Sequence, residues 1–485
     1  MSGSRLIVRN ILATLATQAI SWILTFAVML YLPKYAGADG LGKLAFAASL
    51  VGLLGSLVPL GTSSVLIRDI ARDRSRTGEL LLAALVIRVP LGLVMMVLTI
   101  LLGRILGYPA LTRTFILFMS FGMVVSTLND ALSAALQGQE NLPRQSVGII
   151  VDKCLASVLT IVLVICRAPL WTLAAVGLCT GTVSLVVNLT AFMPLLPTLR
   201  LPTKATIRYI VGAGIPFAGW LIFRTLYGQT DPIVLSLVTN DKTVGWYATA
   251  FRLVGTTLVL PGALCTALLP TLTRLHKEQP EDFQPLARRM LALVILCATP
   301  IAVLFICLSD RMIALMHYPH EFSGCIPVLR IGGVGVFLYY MATVIGTTVI
   351  ASDGQKRMFR ASVFAALIGI PACFLGSFVA HHLWNNGAIG AMFSDVLLEI
   401  YLVLAYLRIL PAKTFSSESI SLIGRSFLAS MPLVALLYLT AQHGMWLGAV
   451  ALCIPIYMLM CWMLQCFDPQ YLVLVRKILA RPAKA

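Results

Sequence analysis

Residues 80–102 read LLLAALVIRVPLGLVMMVLTILL, a run whose one ionisable side chain is Arg88. A bilayer's hydrocarbon core is crossed by ~20 apolar residues in a helix rising ~1.5 Å each, so this stretch predicts a transmembrane helix. Working outward, thirteen further segments read the same way: 7–32, 44–67, 115–136, 147–165, 173–196, 210–238, 244–269, 290–308, 326–350, 361–380, 388–407, 427–441 and 445–464. The thirteenth of the fourteen, 427–441, is the shortest. The connections are short, and the longest, 271–289, is too small to hold an enzymatic domain. The expectation is an all-α polytopic membrane protein of about fourteen transmembrane helices.

Composition agrees. Hydrophobic residues make up 59% of the 485 and charged residues 11%, where soluble domains run near a quarter charged. A net charge of +17 would suggest a nucleic-acid partner in a soluble chain; here it reads as the basic excess of cytoplasmic loops, and no nucleic-acid partner is expected. The first apolar run is too long for the apolar core of a cleavable signal. Eleven cysteines lie scattered through the apolar runs without metal-ligand spacing or a disulfide framework.

The basic residues also set the orientation. With both termini on the cytoplasmic side, 24 of the 36 Lys and Arg fall in inner loops and 8 in outer ones, the remaining four lying inside spans. A missed span would scramble that bias, so an even span number with both termini inside is expected.

The two halves repeat. The stretch Asp39-Gly40-Leu41-Gly42-Lys43-Leu44-Ala45 parallels Lys242-Thr243-Val244-Gly245-Trp246-Tyr247-Ala248, and the same offset carries Arg5 onto Arg208. Gln137-Gly138-Gln139 with Arg144 parallels Asp353-Gly354-Gln355 with Arg360. An even number of spans separates the copies, so they run parallel, which implies two six-helix bundles related by an axis along the membrane normal. The expected organisation is a six-helix lobe over 1–200, a second over 201–410, and two additional helices with a short cytoplasmic tail over 411–485.

Several of these residues carry a family resemblance. Asp231-Pro232-Ile233-Val234-Leu235, followed by the run from Val244 to Leu253, resembles the polysaccharide-export flippases of the MOP superfamily, the Wzx type. Gly40-Leu41-Gly42, Ser49-Leu50, Gly61 with Ile67-Arg68, Gly354-Gln355 and Gly387-Ala388-Ile389-Gly390-Ala391 fit the same family. The resemblance spans the first twelve segments. It implies two lobes around a central cavity, and movement of an undecaprenyl-pyrophosphate-linked oligosaccharide from the inner to the outer leaflet of a bacterial cytoplasmic membrane by alternating access. Expected partners are that substrate, membrane lipids and the polysaccharide polymerase machinery; the pathway would be O-antigen, capsule or exopolysaccharide synthesis. Two relatives stay open as alternatives: a multidrug exporter of the MATE type and a lipid II flippase. The first span offers Gln18 and Ser21 where lipid II flippases carry basic residues.

Chemistry has to come from polar groups inside the spans, where each central Arg or Asp costs ~2.5–3.5 kcal/mol on insertion scales. Arg88, Arg224 and Arg252 are therefore expected to face the protein interior and to be the substrate-binding residues. By depth along their helices, Arg88 could pair with Asp130, and Asp231 with Arg252. Arg224, near mid-span, suits a pyrophosphate because a guanidinium offers a two-pronged donor to phosphate oxygens; a structural pair with Glu399 is the other reading. Asp395 and Glu399, one turn apart, could carry a coupling proton or sodium ion, or simply pack. Ser126, Asp130, Ser133 and Gln137 share one helix face. Asp152 and Lys153 read as a pair at the membrane interface. No catalytic constellation, metal site or cofactor is expected, and the histidines at 317, 320, 381 and 382 read as solvated loop residues.

Overall fold

A computed structural model describes residues 3–195, 201–410, 414–415, 417–442 and 446–466. Among the described residues there are fifteen α-helices and no strand: α1 (Gly3–Gly55), α2 (Thr62–Arg72), α3 (Thr77–Ile105), α4 (Ala110–Gly138), α5 (Leu142–Ile165), α6 (Trp171–Phe192), α7 (Lys204–Val238), α8 (Asp241–Thr257), α9 (Val259–Glu278), α10 (Pro280–Leu315), α11 (Cys325–Ala351), α12 (Gln355–Trp384), α13 (Gly387–Ile409), α14 (Ser417–Gln442) and α15 (Trp446–Met463). Eleven of the described segments are long and apolar enough to cross a membrane, and 448–463 is a shorter apolar helix. The protein is a multi-pass helical membrane protein.

Two of the fourteen expected spans are not continuous helices. The span expected over 44–67 stops at Gly55, turns through 56–61 and resumes as α2. Leu60 and Gly61 in that turn both take left-handed backbone angles, and the Pro59 carbonyl accepts the Thr62 N–H at 2.8 Å. The span expected over 244–269 breaks at Leu258 into α8 and α9. Pro261 falls in the first turn of α9, where a missing N–H costs nothing. Both breaks occur at nearly corresponding places in the two repeats, beside Pro59 and Pro261. The long connection expected over 271–289 is helical too, interrupted at Gln279 between α9 and α10.

α1 holds the first expected span and the opening part of the second, joined through Gly37 at φ 66° and ψ 175°. That angle favours a residue without Cβ. Ala38 then begins the second helical stretch with its N–H given to the Glu321 carboxylate at 2.8 Å, a cap supplied from a short turn far along the chain.

By their contacts the residues group into two compact units. The first comprises residues 1–249, 315–324 and 366–391. In it α4 packs on α3 and α6, α1 on α4, α5 and α7, and α2 on α4 and α7. α2 is amphipathic: Val65, Leu66 and Ile70 are buried with Leu80, Leu81, Ala131, Leu132 and Phe192, while Arg68 and Asp69 lie on its polar side and contact Tyr209. The second unit comprises 250–314, 325–365 and 392–485; α9 packs on α11 and α14 on α15. Its core joins Val303 and Leu308 of α10 to Ala429, Leu433, Leu437, Cys453 and Tyr457. The buried Ser426 hydroxyl is a polar hub there, 2.8 Å from Thr299 and 2.7 Å from Tyr457.

Candidate functional site

The polar centre of the first unit is built around Arg88. Its side chain is wholly buried in α3, and a buried guanidinium has to find partners for its N–H groups. Nε donates to Thr62 Oγ1 at 2.9 Å, and Nη2 to Ser63 Oγ at 2.7 Å. Nη1 donates to the Thr127 carbonyl at 3.1 Å and to Asp130 Oδ2 at 2.8 Å. Ser63 in turn donates to the same Asp130 oxygen at 2.6 Å. The break after Gly55 is what delivers Thr62 and Ser63 to this point, because they open α2. Arg88 thus ties α2, α3 and α4 together.

Asp130 is the exposed end of this network, with 49% of its side chain accessible against none of Arg88's. It faces an open cavity of about 670 Å³ lined by residues of α1, α4, α5 and α6. Small residues make the space: Ala48, Gly52 and Gly55 on α1, Gly122 on α4, Ala156 on α5, Gly177 and Gly181 on α6. Ser126, Asn129, Asp130, Asp152, Lys153 and Thr180 set polar groups into a wall that is otherwise mostly apolar. Beyond it a ladder of amides and hydroxyls continues between helices. Asn129 Nδ2 donates to Ser184 Oγ at 3.0 Å, Ser184 to the Gly148 carbonyl at 3.0 Å, and Asn188 Nδ2 to Asn129 Oδ1 at 2.6 Å. Gly148 admits this contact, since a Cβ there would lie 2.3 Å from Asn188 Oδ1.

The expected site residues divide accordingly. Arg88 and Asp130 meet. Arg88, expected among the substrate contacts, has no accessible surface in this conformation, and its charge is engaged by Asp130 and two hydroxyls. Asp152 and Lys153, expected as a pair at the membrane interface, both stand in the cavity wall. Of the predicted helix face, Ser126 and Asp130 line the cavity, whereas Ser133 accepts from Gln145 Nε2 at 2.9 Å. Asp231 is buried and accepts the Tyr247 hydroxyl at 2.7 Å. Arg252 is exposed on α8 in the second unit. Asp395 is half-buried and Glu399 buried, one turn apart on α13. The side chain of Arg224 lies outside the described residues. Thr62, Ser63, Asn129, Ser184 and Asn188 escaped the sequence reading because hydroxyls and amides carry no charge penalty that would flag them in an apolar run. Among the described residues no group of three or more His, Cys, Asp or Glu is arranged to hold a metal, and all eleven cysteines are free thiols.

Helix order and packing define a multi-pass helical membrane protein whose first unit holds a cavity among its spans. The chain belongs to the polysaccharide biosynthesis protein family, whose model matches residues 7–276; the MatE model matches residues 216–375. Among solved structures it is similar to the lipid II flippase MurJ in an inward closed conformation, at 14% identity and a TM-score of 0.75, covering 98% of this chain and 100% of that one. It is also similar to an inward-facing multidrug-resistance MATE transporter, at 15% identity and a TM-score of 0.65 over 81% of this chain and 98% of that one. A MOP superfamily transporter from Pyrococcus furiosus matches at 15% identity and a TM-score of 0.57, over 83% and 95%. These are likenesses of fold. No curated protein matches the sequence.

Proposed function

We propose that this protein is a flippase that carries an undecaprenyl-pyrophosphate-linked oligosaccharide repeat unit across the bacterial cytoplasmic membrane by alternating access, in O-antigen, capsule or exopolysaccharide synthesis. The observation that carries this reading is the polysaccharide biosynthesis match over more than half of the chain, combined with arginines inside spans. A pyrophosphate needs positive charge in a site from which water is largely withdrawn, and a guanidinium can donate two parallel hydrogen bonds to it. Arg224 and Arg252 are the proposed substrate contacts. Arg88 acts one step removed, holding α2 against α3 and α4. Coupling to a proton or sodium ion would use Asp395 and Glu399 of α13. The polysaccharide polymerase machinery is the proposed downstream partner.

The test is lipid-linked glycan in a deletion strain. The expected result is accumulation of a complete lipid-linked unit on the cytoplasmic face with export lost. The accumulation is expected to persist when Arg224→Ala is supplied at parental protein level. Normal polymer together with new sensitivity to toxic cations would overturn the reading in favour of a drug exporter, the alternative that the MatE match over residues 216–375 supports.

A further inference from the structure

The repeated motifs of the two halves touch each other. The offset that carries Gly42 onto Gly245 also carries Ala38 onto Asp241, and the contacts obey it. A Cβ on Gly42 would lie 1.7 Å from the Asp241 carbonyl oxygen, and one on Gly245 would lie 1.9 Å from the Ala38 carbonyl oxygen. Each glycine meets the residue four positions before its counterpart, the reciprocal pattern that a local twofold imposes on an interface. The colliding atoms are backbone, so no rotamer change makes room for a side chain. Here α1, four residues into its second stretch, and α8, at its start, cross with nothing between their backbones, the close approach that small residues permit in membranes.

The flanks of this crossing are polar. Lys43 Nζ contacts the Asp39 carboxylate on its own helix and lies 3.7 Å from Asp241 Oδ2 on the other. Trp246 Nε1 donates to the Glu321 carbonyl at 2.7 Å, while the Glu321 carboxylate caps Ala38. The crossing is therefore held by backbone proximity, one lysine clasp and a carboxylate cap.

We propose that this Gly42–Gly245 crossing is the outer gate of the transporter, a seam on the repeat axis that parts each time substrate leaves on the outer side. The proposal rests on the transport reading above and on the orientation given by the basic residues, which puts Lys43 and Lys242 outside. Two parallel repeats that exchange inner and outer access rock against each other around a central site, so helices crossed on the repeat axis at one end cannot stay crossed in both states.

The experiment uses the full chain carrying Lys43→Cys and Asp241→Cys, bridged in the membrane by a short thiol-reactive cross-linker, with the parent protein treated identically to account for its own cysteines. Bridging is expected to cut export at least tenfold, and cleavage of the linker to restore it. Separately, Lys43→Cys is labelled from outside with a membrane-impermeant maleimide. Adding Gly245→Val is expected to wedge the seam and raise the labelling rate several-fold. Export at the parental rate by the bridged protein, or a labelling rate that is the same with and without Gly245→Val, would overturn the gate. Labelling needs no substrate, so it separates failure of the seam from failure of the glycan assignment. If the valine variant does not accumulate, the bridging arm decides alone, because it alters only two polar side chains at the edge of the crossing.

Discussion

Arg88 shows what a single charge in an apolar run demands. The sequence marks it as a group that must be internal, since lipid exposure is expensive, and depth along the helices singles out Asp130 as a partner. The other partners, Thr62 and Ser63, depend on a helix break that hydropathy does not register. Removing one member of a buried pair strands the other. Asp130 is half exposed to the cavity, so water can take over part of what Arg88 supplied. Arg88→Met is therefore expected to cost about 3 kcal/mol, the low end for breaking such a pair, seen as a lowered melting temperature in detergent. Arg88→Met with Asp130→Asn is expected to recover most of that loss. A double variant no more stable than Arg88→Met alone would mean that the hydroxyl contacts, rather than the ion pair, carry the stability.

Among the elements, the apolar runs map onto helices with few surprises, because ~20 residues without charge leave the chain little choice of structure. What the runs conceal is where a helix stops. The segments over 44–67 and 244–269 show no drop in hydropathy at their breaks, and Pro59 and Pro261 could equally mark bends; backbone angles at Leu60 and Gly61 decide the first case. α14 and α15 illustrate how elements are joined where hydrophobicity gives no preference for protein over lipid. Their side chains pack with α10, and Ser426 adds a directional link to Thr299 and Tyr457. Hydrogen bonds between membrane helices average ~0.6 kcal/mol and reach ~1.7. Ser426→Ala removes two, so a loss of about 1 kcal/mol is expected in a denaturation series. An unchanged midpoint would show that Thr299 and Tyr457 find other partners.

For the whole molecule, orientation rests on loop charge. A reporter that fluoresces only in the cytoplasm, fused after Ala485, is expected to be bright, and an enzyme active only outside is expected to be silent there. The opposite pair of signals would reverse every inner and outer assignment made from the basic residues. The class of fold was legible from hydropathy because it reports an average over many residues. The cavity was not. It depends on which small residues of α1, α4, α5 and α6 face one another, and Asp152 and Lys153 carry no signal in their spacing that distinguishes a cavity wall from a membrane interface.

The cap on Ala38 has a consequence for the order of assembly. Its acceptor, Glu321, lies 283 residues further along the chain, and the carbonyl of Met29 likewise receives the hydroxyl of Tyr318 at 2.6 Å. A ribosome adding ~5–20 residues per second delivers those two side chains many seconds after α1 has left the exit tunnel. Through that interval the second stretch of α1, after Gly37, has a helix start without its acceptor, so the first unit can begin to form early but is completed only when residues 315–324 arrive.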